Sequence, residues 1–375
     1  MKRYTKLFLC FVVFGVTLPN AQEYDRKPFE VTAENDMPDE HPKRVPTENR
    51  TADETKMTGN ALGGFLTPKL KIGGYGKLVY RYSDAGDIRH SFAPRFAFVS
   101  LNGQLNEQFD YFGLFSFIGE PVFELWLQWK PLDAFSIRIG QQKTPLTFES
   151  MISPTVLESI NNSRVLSNLC GMAGDVGVNN AGGRDVGVTL YGDLFKQQEH
   201  FLLHYALGIF QGTGVNMGDN NNKKDVVASL IVQPLYGLRF GYGIYRGTGH
   251  YAVGNHPAAD HTRNRQALSA DFKTGRLSTR AEWMTGKDGD ADKEGVSVLA
   301  QWKFIPDEFD AFVRWDYYDN DKKNNVRAVD YTIGCSYYFA KMCRFELNYI
   351  FSCFSENRIA GRNSNQALAQ IQIVF

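Results

Sequence analysis

The sequence predicts an all-β fold: a transmembrane antiparallel β-barrel of about 16 strands, with one loop of about forty residues between its fifth and sixth strands. Three observations predict it. Apolar and polar side chains alternate with period two from about Lys69 to the last residue. The connections between these runs alternate between short and long. Aromatic residues are abundant, with Phe 28, Tyr 18 and Trp 5 making 14% of the chain, as a wall with aromatic girdles requires. Beyond residue 20 no stretch approaches the 18 consecutive apolar residues of a spanning helix, which excludes a helical membrane protein. Lys+Arg 41 balance Asp+Glu 41, and this neutrality argues against a nucleic-acid partner.

The N-terminus sets the compartment. Lys2, Arg3 and Lys6 precede an apolar run from Leu7 to Leu18, and Pro19-Asn20-Ala21 ends it. This pattern is too short to span a bilayer and reads as a secretory signal peptide over residues 1–22. A charged, Pro-containing arm follows over 23–68. Its residues 23–60 hold ten acidic and six basic side chains with Pro28, Pro38, Pro42 and Pro46, a composition that predicts mobility. The barrel is assigned to 69–375.

The strands are read from parity. In Tyr236–Tyr245 one face carries Tyr236, Leu238, Phe240, Tyr242 and Ile244, and the other Gly237, Arg239, Gly241 and Gly243. Phe309, Ala311, Val313, Trp315 and Tyr317 oppose Asp310, Arg314 and Asp316 in the same way. Such runs begin near residues 70, 91, 108, 122, 134, 184, 199, 224, 236, 263, 276, 293, 308, 326, 342 and 365. Long links are expected at 83–90, 143–183, 212–223, 247–262, 286–292, 320–325 and 354–364, with 119–121 short where a long one is due. An even strand count with short turns at one end is the outer-membrane barrel arrangement, and closure gives every backbone group a partner in lipid. A soluble sandwich would have to pair too many aromatic faces in one core. Cys335, Cys343 and Cys353 do not stand opposite one another in the predicted strands and are read as unpaired.

Two stretches carry a family resemblance. Ile137-Arg-Ile-Gly-Gln-Gln-Lys-Thr-Pro-Leu-Thr-Phe-Glu149 and Arg184-Asp-Val-Gly-Val-Thr-Leu190 resemble the segments that enter and leave the third loop in the phosphate-selective porin O/P family, in its Bacteroidetes form. The terminal Phe375 is similar to the C-terminal signature read by the barrel-assembly machinery. The resemblance implies a homotrimeric outer-membrane porin of a Gram-negative bacterium, with the loop 143–183 folded into the lumen to narrow it. It implies passive diffusion of small hydrophilic solutes, anions such as phosphate among them, and no cofactor.

Because Leu, Ile, Phe and Trp must face lipid, parity turns Arg138, Arg239, Arg280, Arg314 and Arg344 inward, with Arg95 at the edge of the pattern. The inward anions are Glu124, Asp271, Glu282, Asp310, Asp316 and Glu346, and the loop region adds Lys143, Glu149, Glu158, Arg164 and Arg184. An arginine ladder would select phosphate by guanidinium geometry. The near-equal signs favour instead a mixed lumen whose charges pair across strands. Other chemistry is weak: His250, His256, His261 and Asp260 share one predicted loop, and His204 and Ser229 lie on adjacent lumen faces without an evident third partner. The chain is read as no enzyme and as holding no metal. A lipid-hydrolase barrel and a plugged structural or adhesion barrel stay open as alternatives.

Overall fold

The computed structural model describes residues 70–172, 174–178, 182–355 and 363–375. The signal peptide expected over 1–22 and the arm over 23–68 lie outside them. Sixteen strands follow one another around a single closed antiparallel barrel. They are β1 (Lys71–Ser83), β2 (His90–Asn106), β3 (Phe109–Ser116), β4 (Val122–Leu132), β5 (Phe135–Lys143), β6 (Arg184–Lys196), β7 (Phe201–Phe210) and β8 (Asp225–Leu235). The circuit continues through β9 (Leu238–Tyr251), β10 (Ala259–Lys273), β11 (Leu277–Asp288), β12 (Ala291–Ile305), β13 (Phe309–Asp319), β14 (Arg327–Ala340), β15 (Cys343–Phe354) and β16 (Ser364–Val374). Two short helices, α1 (Phe148–Met151) and α2 (Arg164–Leu169), sit between β5 and β6.

Alternation decides which face meets lipid. On β13 Phe312, Arg314 and Asp316 are buried, whereas Val313 and Trp315 are 56% and 38% exposed. Aromatic pairs gather at the strand ends, where amphipathic rings meet both an apolar body and a wet headgroup. Phe339–Phe345 and Phe304–Phe309 stand at the short-turn end, and Tyr80–Phe92 and Trp315–Tyr317 towards the long-loop end. The seam is made by β1 against β16, and Gly74 and Phe375 exchange both main-chain bonds at 2.9 and 3.0 Å. A side chain at Gly74 would strike the Phe375 ring, so this position admits only hydrogen. Cys335, Cys343 and Cys353 are free thiols, as their register requires.

Two expected long links are corrected. Residues 286–292 form a two-residue hairpin turn, because pairing continues to Asp288↔Ala291 and Gly289 takes φ 56°. The expected 247–262 loop shrinks to 252–258, since β9 and β10 stay paired out to Tyr251↔Ala259. Both runs are polar, and a strand leaving the bilayer no longer needs an apolar face, so the alternation that marks the strand fades before the pairing does.

Candidate functional site

The forty-residue segment between β5 and β6 turns into the barrel, and its local sequence shows how. Thr147 caps α1 by accepting from Ser150 N at 3.1 Å, and Ser150 Oγ accepts in return from Thr147 N, closing a capping box. Ser163 caps α2. One face of α2 presents Val165, Leu166 and Leu169, all buried against Phe210, Val227, Tyr245, Met284 and Tyr318 of the wall. Removing each such side chain from water contributes roughly 1.5–3 kcal/mol, so docking is apolar before it is ionic. The wall makes room with glycine. A Cβ on Gly243 would lie 2.1 Å from Leu146 O, and one on Gly295 2.6 Å from Val165; Gly241 and Gly286 seat Phe148 and Leu169 likewise.

Polar bonds then fix the segment around the lumen. Lys77 Nζ donates to Pro154 O at 2.6 Å, Gln372 to Thr155 O at 2.9 Å, and Arg344 to Leu157 O at 2.7 Å. Arg95 donates to Asn161 Oδ1 at 2.8 Å, and Arg314 to Asn161 O at 2.7 Å. Arg164 forms a bidentate pair with Asp330 at 2.6 and 2.7 Å. Arg280 grips Glu158 at 3.1 and 2.9 Å and lies 3.7 Å from Glu149. Glu149 accepts from Ser163 N, while Glu282 accepts from Glu149 N and Ser269. Lys143 donates to Met151 O and Ile152 O at the segment's entrance. At its far end Asp175 bridges Arg263 and Arg265 at 2.8 and 2.7 Å.

The remaining expected residues stand where parity puts them. Arg239 forms a bidentate pair with Asp271 and lies over the Phe148 ring at 4.6 Å. Arg314 also holds Asp316 at 2.8 Å, and Arg184 holds Glu124 at 2.6 Å. Arg138 lies flat on Trp126 at 3.6 Å and donates to Gln128. The lumen is therefore mixed, with most of its guanidinium groups matched to carboxylates. His204 meets Asp193 at 2.7 Å, but Ser229 pairs with Ala206 and His204 with Ile231. His250 meets Asp260 across the β9–β10 ladder, and no metal-holding cluster is found among the described residues.

Three features were missed from sequence. Arg263 and Arg265 share the parity of Asp271 and lie within the strand expected from about residue 263, so parity applied to its first residues would have turned them inward. The β7–β8 link, 211–224, also folds over the mouth: Asp185 accepts from Gly212 N and Gly214 N at 2.6 and 3.3 Å, and Asn216 bonds Gln141 and Glu120. Arg95 is the extra residue of a β-bulge, since Lys77 pairs with Phe96 and Leu78 with Pro94. Bulges re-aim side chains in this way, which explains why alternation left Arg95 undecided.

Burial alone would push the Glu158 carboxyl up, but the charge and hydrogen bonds of Arg280 outweigh it and hold it down at about 2. The Arg263 and Arg265 guanidiniums likewise hold buried Asp175 below the ordinary carboxylate range. A carboxylate whose value is lower in the folded state stabilises the docked loop above its unfolded value, near 4.5, and loses that contribution as pH falls through the folded one. Channel conductance should hold steady from roughly pH 7 to pH 5, with loop release emerging only below about pH 3. A transition complete by about pH 4 would contradict this pairing.

Solved structures share the architecture at low identity. An anion-selective porin from Comamonas acidovorans matches with TM-score 0.64 and 13% identity, over 82% of this chain and 100% of that one. OmpF of Salmonella typhi, in complex with daunomycin, matches with TM-score 0.60 and 15% identity, over 82% and 97%. The outer-membrane channel DcaP of Acinetobacter baumannii matches with TM-score 0.57 and 11% identity, over 81% and 97%. No curated protein matches the sequence. The family model described as Gram-negative porin matches residues 52–352, most of the chain and nearly all of the strands that enclose the inward loop, and the protein belongs to that family.

Proposed function

We propose that this channel favours small anions, phosphate among them, and that it lies in the phosphate-selective O/P branch of its family. The protein is an outer-membrane channel of a Gram-negative bacterium through which small hydrophilic solutes diffuse passively. One observation carries the anion reading. Lys77 and Arg95 donate to a carbonyl and an amide oxygen, and the carboxylate that acts on both, Glu346, is itself ion-paired with Arg344 at 2.9 Å. Exposed Arg81 lies on the same strand, with the parity of Val79, which packs inside the barrel. Across most of the rest of the lumen cations face carboxylates at short range, although Arg138 and Lys143 also donate to neutral oxygens, and this contrast supports the β1–β2 wall as a positive side of the path. Fields in a narrow, low-dielectric path are focused, so a few such charges suffice to bias ion entry.

In this reading Arg138, Arg184, Arg239 and Lys143 line the path. Arg164, Arg280, Arg314, Glu149, Glu158, Glu282 and Asp316 hold the narrowing loop at its set distance from the wall. No residue performs covalent chemistry, and no cofactor is required. The residues 1–22 serve as leader and 23–68 as an arm ahead of the barrel. Three copies assemble, as one in-vitro folded form of OmpT of Vibrio cholerae does. The exposed Phe375 ring is the handle for the assembly machinery.

Reversal potential across a KCl gradient in planar bilayers tests the preference. Anion selectivity is expected for the native protein and a shift towards zero for Lys77→Gln/Arg95→Gln. Cation selectivity of the native protein would overturn the proposal, whereas absence of discrete conductance steps would count against a pore altogether.

A further inference from the structure

Charge on the outer wall is unevenly placed. At the long-loop end, which in such barrels faces the cell exterior, the outward side chains of β6 and β7 stay apolar, with Val186 and Ile209 exposed. From β8 to β14 they turn basic, with Lys224, Arg246, Lys287, Lys322 and Arg327 exposed or half-buried. Three of these are answered by carboxylates: Lys224 holds Asp219, Lys322 holds Glu294 and Arg327 holds Asp319. Arg246 and Lys287 are not. Both are exposed, and among the described residues neither forms an ion pair. The Arg246 guanidinium donates to main-chain oxygens, Tyr245 O at 3.2 Å and Arg265 O at 3.4 Å. The nearby acids are placed elsewhere. Asp292 stands opposite Lys287 on the side away from β10 without pairing to it, and Asp260 is held by His250 and Lys223.

The two unanswered cations frame one site. The ladder sets Arg246 opposite Asn264 and Asn264 opposite Lys287, so the three form a row across β9, β10 and β11. At strand spacing the outer two Cα atoms stand about 10 Å apart, and both long side chains reach the space over Asn264. Asn264 Oδ1 accepts from Gly247 N at 3.4 Å, which leaves its NH2 end as a further donor. The row lies four residues beyond Tyr242, Leu268 and Trp283, the lipid-facing side chains of the same three strands. Four residues are about 13 Å along a strand, or roughly 10 Å of height at barrel tilt. That is headgroup depth, just outside the aromatic belt. We infer that Arg246, Asn264 and Lys287 bind a phosphate of the phosphorylated glycolipid of the outer leaflet, with its acyl chains against Tyr242, Leu268 and Trp283. The guanidinium supplies a bidentate fork and the ammonium a point charge. Basic side chains just outside a bilayer attract anionic headgroups in the same way. The site lies outside the lumen and is independent of the anion preference proposed for the channel.

The test compares delipidated full-length protein in detergent, the double variant Arg246→Gln/Lys287→Gln, and Lys341→Gln from the exposed β14–β15 turn at the opposite end. Each is first shown to be a heat-modifiable barrel, then mixed with diphosphoryl lipid A, and bound lipid is counted by native mass spectrometry. The native protein and Lys341→Gln are expected to retain the lipid alike, and the double variant at least tenfold less. Lipid A stripped of its phosphates should bind all three to the same low level. Equal retention of diphosphoryl lipid A by native protein and double variant would overturn the inference. So would its displacement by excess inorganic phosphate, since the row would then be a site for free anions. Single-channel conductance of the double variant should match the native value; a change would place these cations on the solute path and not on the lipid face.

Discussion

Arg280→Ala is expected to free the inward loop and raise channel conductance, with the largest effect of any single substitution in the lumen. Arg280 is the cation at which Glu158 and Glu149 converge from the loop, beside Glu282 on its own strand. Its removal leaves buried carboxylates without their counter-charge, and breaking such a buried pair typically costs about 3–5 kcal/mol. The barrel itself should survive, because the ladder at Arg280 is made by its main chain, which alanine keeps, and its side chain points away from the lipid-facing wall. The loss therefore falls on loop docking, which reads out as larger, noisier conductance steps and new protease cleavage between residues 144 and 183. Arg280→Met/Glu158→Gln should recover part of the native conductance, since it removes one charge of each sign and leaves only the Glu149–Glu282 pair to be relieved. Unchanged conductance and protection in Arg280→Ala would show that α2's apolar face holds the loop by itself.

Gly243→Val should produce the second-largest change by a steric route. The contact it creates is with a main-chain carbonyl, Leu146 O at 2.1 Å, which no rotamer change can relieve. Overpacking of this kind costs about 1–3 kcal/mol, and here the cheaper response is for the loop entrance to lift off β9. Conductance should rise less than for Arg280→Ala, because the Glu158 and Asp175 anchors remain. Gly275→Val is the control: its Cβ would meet open space, and it should behave as native. If Gly243→Val and Gly275→Val are indistinguishable, the glycines of β9 are not the loop's seat.

Much of the barrel was legible because lipid imposes a strict alternation on every strand that crosses it. Strands such as β4, β6 and β8 begin where the pattern begins, within a residue or two. Legibility failed where lipid stops, at the polar hairpin tip of β11–β12 and the extended β9–β10 ladder. For the site, inward Arg138, Arg239, Arg280 and Arg314 followed from parity, but their partners did not. Arg280 meets a loop residue 122 positions away, and Arg164 meets Asp330 at a separation of 166. The glycines of β9, β11 and β12 held an unused signal: inward glycines on a wall otherwise filled by side chains mark where something else approaches closely. Read in that way, Gly241, Gly243, Gly286 and Gly295 trace the loop's route around the lumen.

The Gly74–Phe375 seam has a consequence for how the protein is made. Every other strand pair joins neighbours in sequence, so hairpins can form as soon as both arms exist. The seam joins residues at the two ends of the barrel sequence, Tyr75 with Val374 and Gly74 with Phe375. Among the strand pairs of the described residues it spans the largest sequence separation, and pairing over such separations is intrinsically slow. Until β16 has been synthesised and delivered, β1 and the growing edge both remain open templates for foreign strands. The barrel thus has a built-in order of events: local hairpins first, closure last. The pairing of β16 with β1 both completes the ladder and ends the time during which these edges can aggregate.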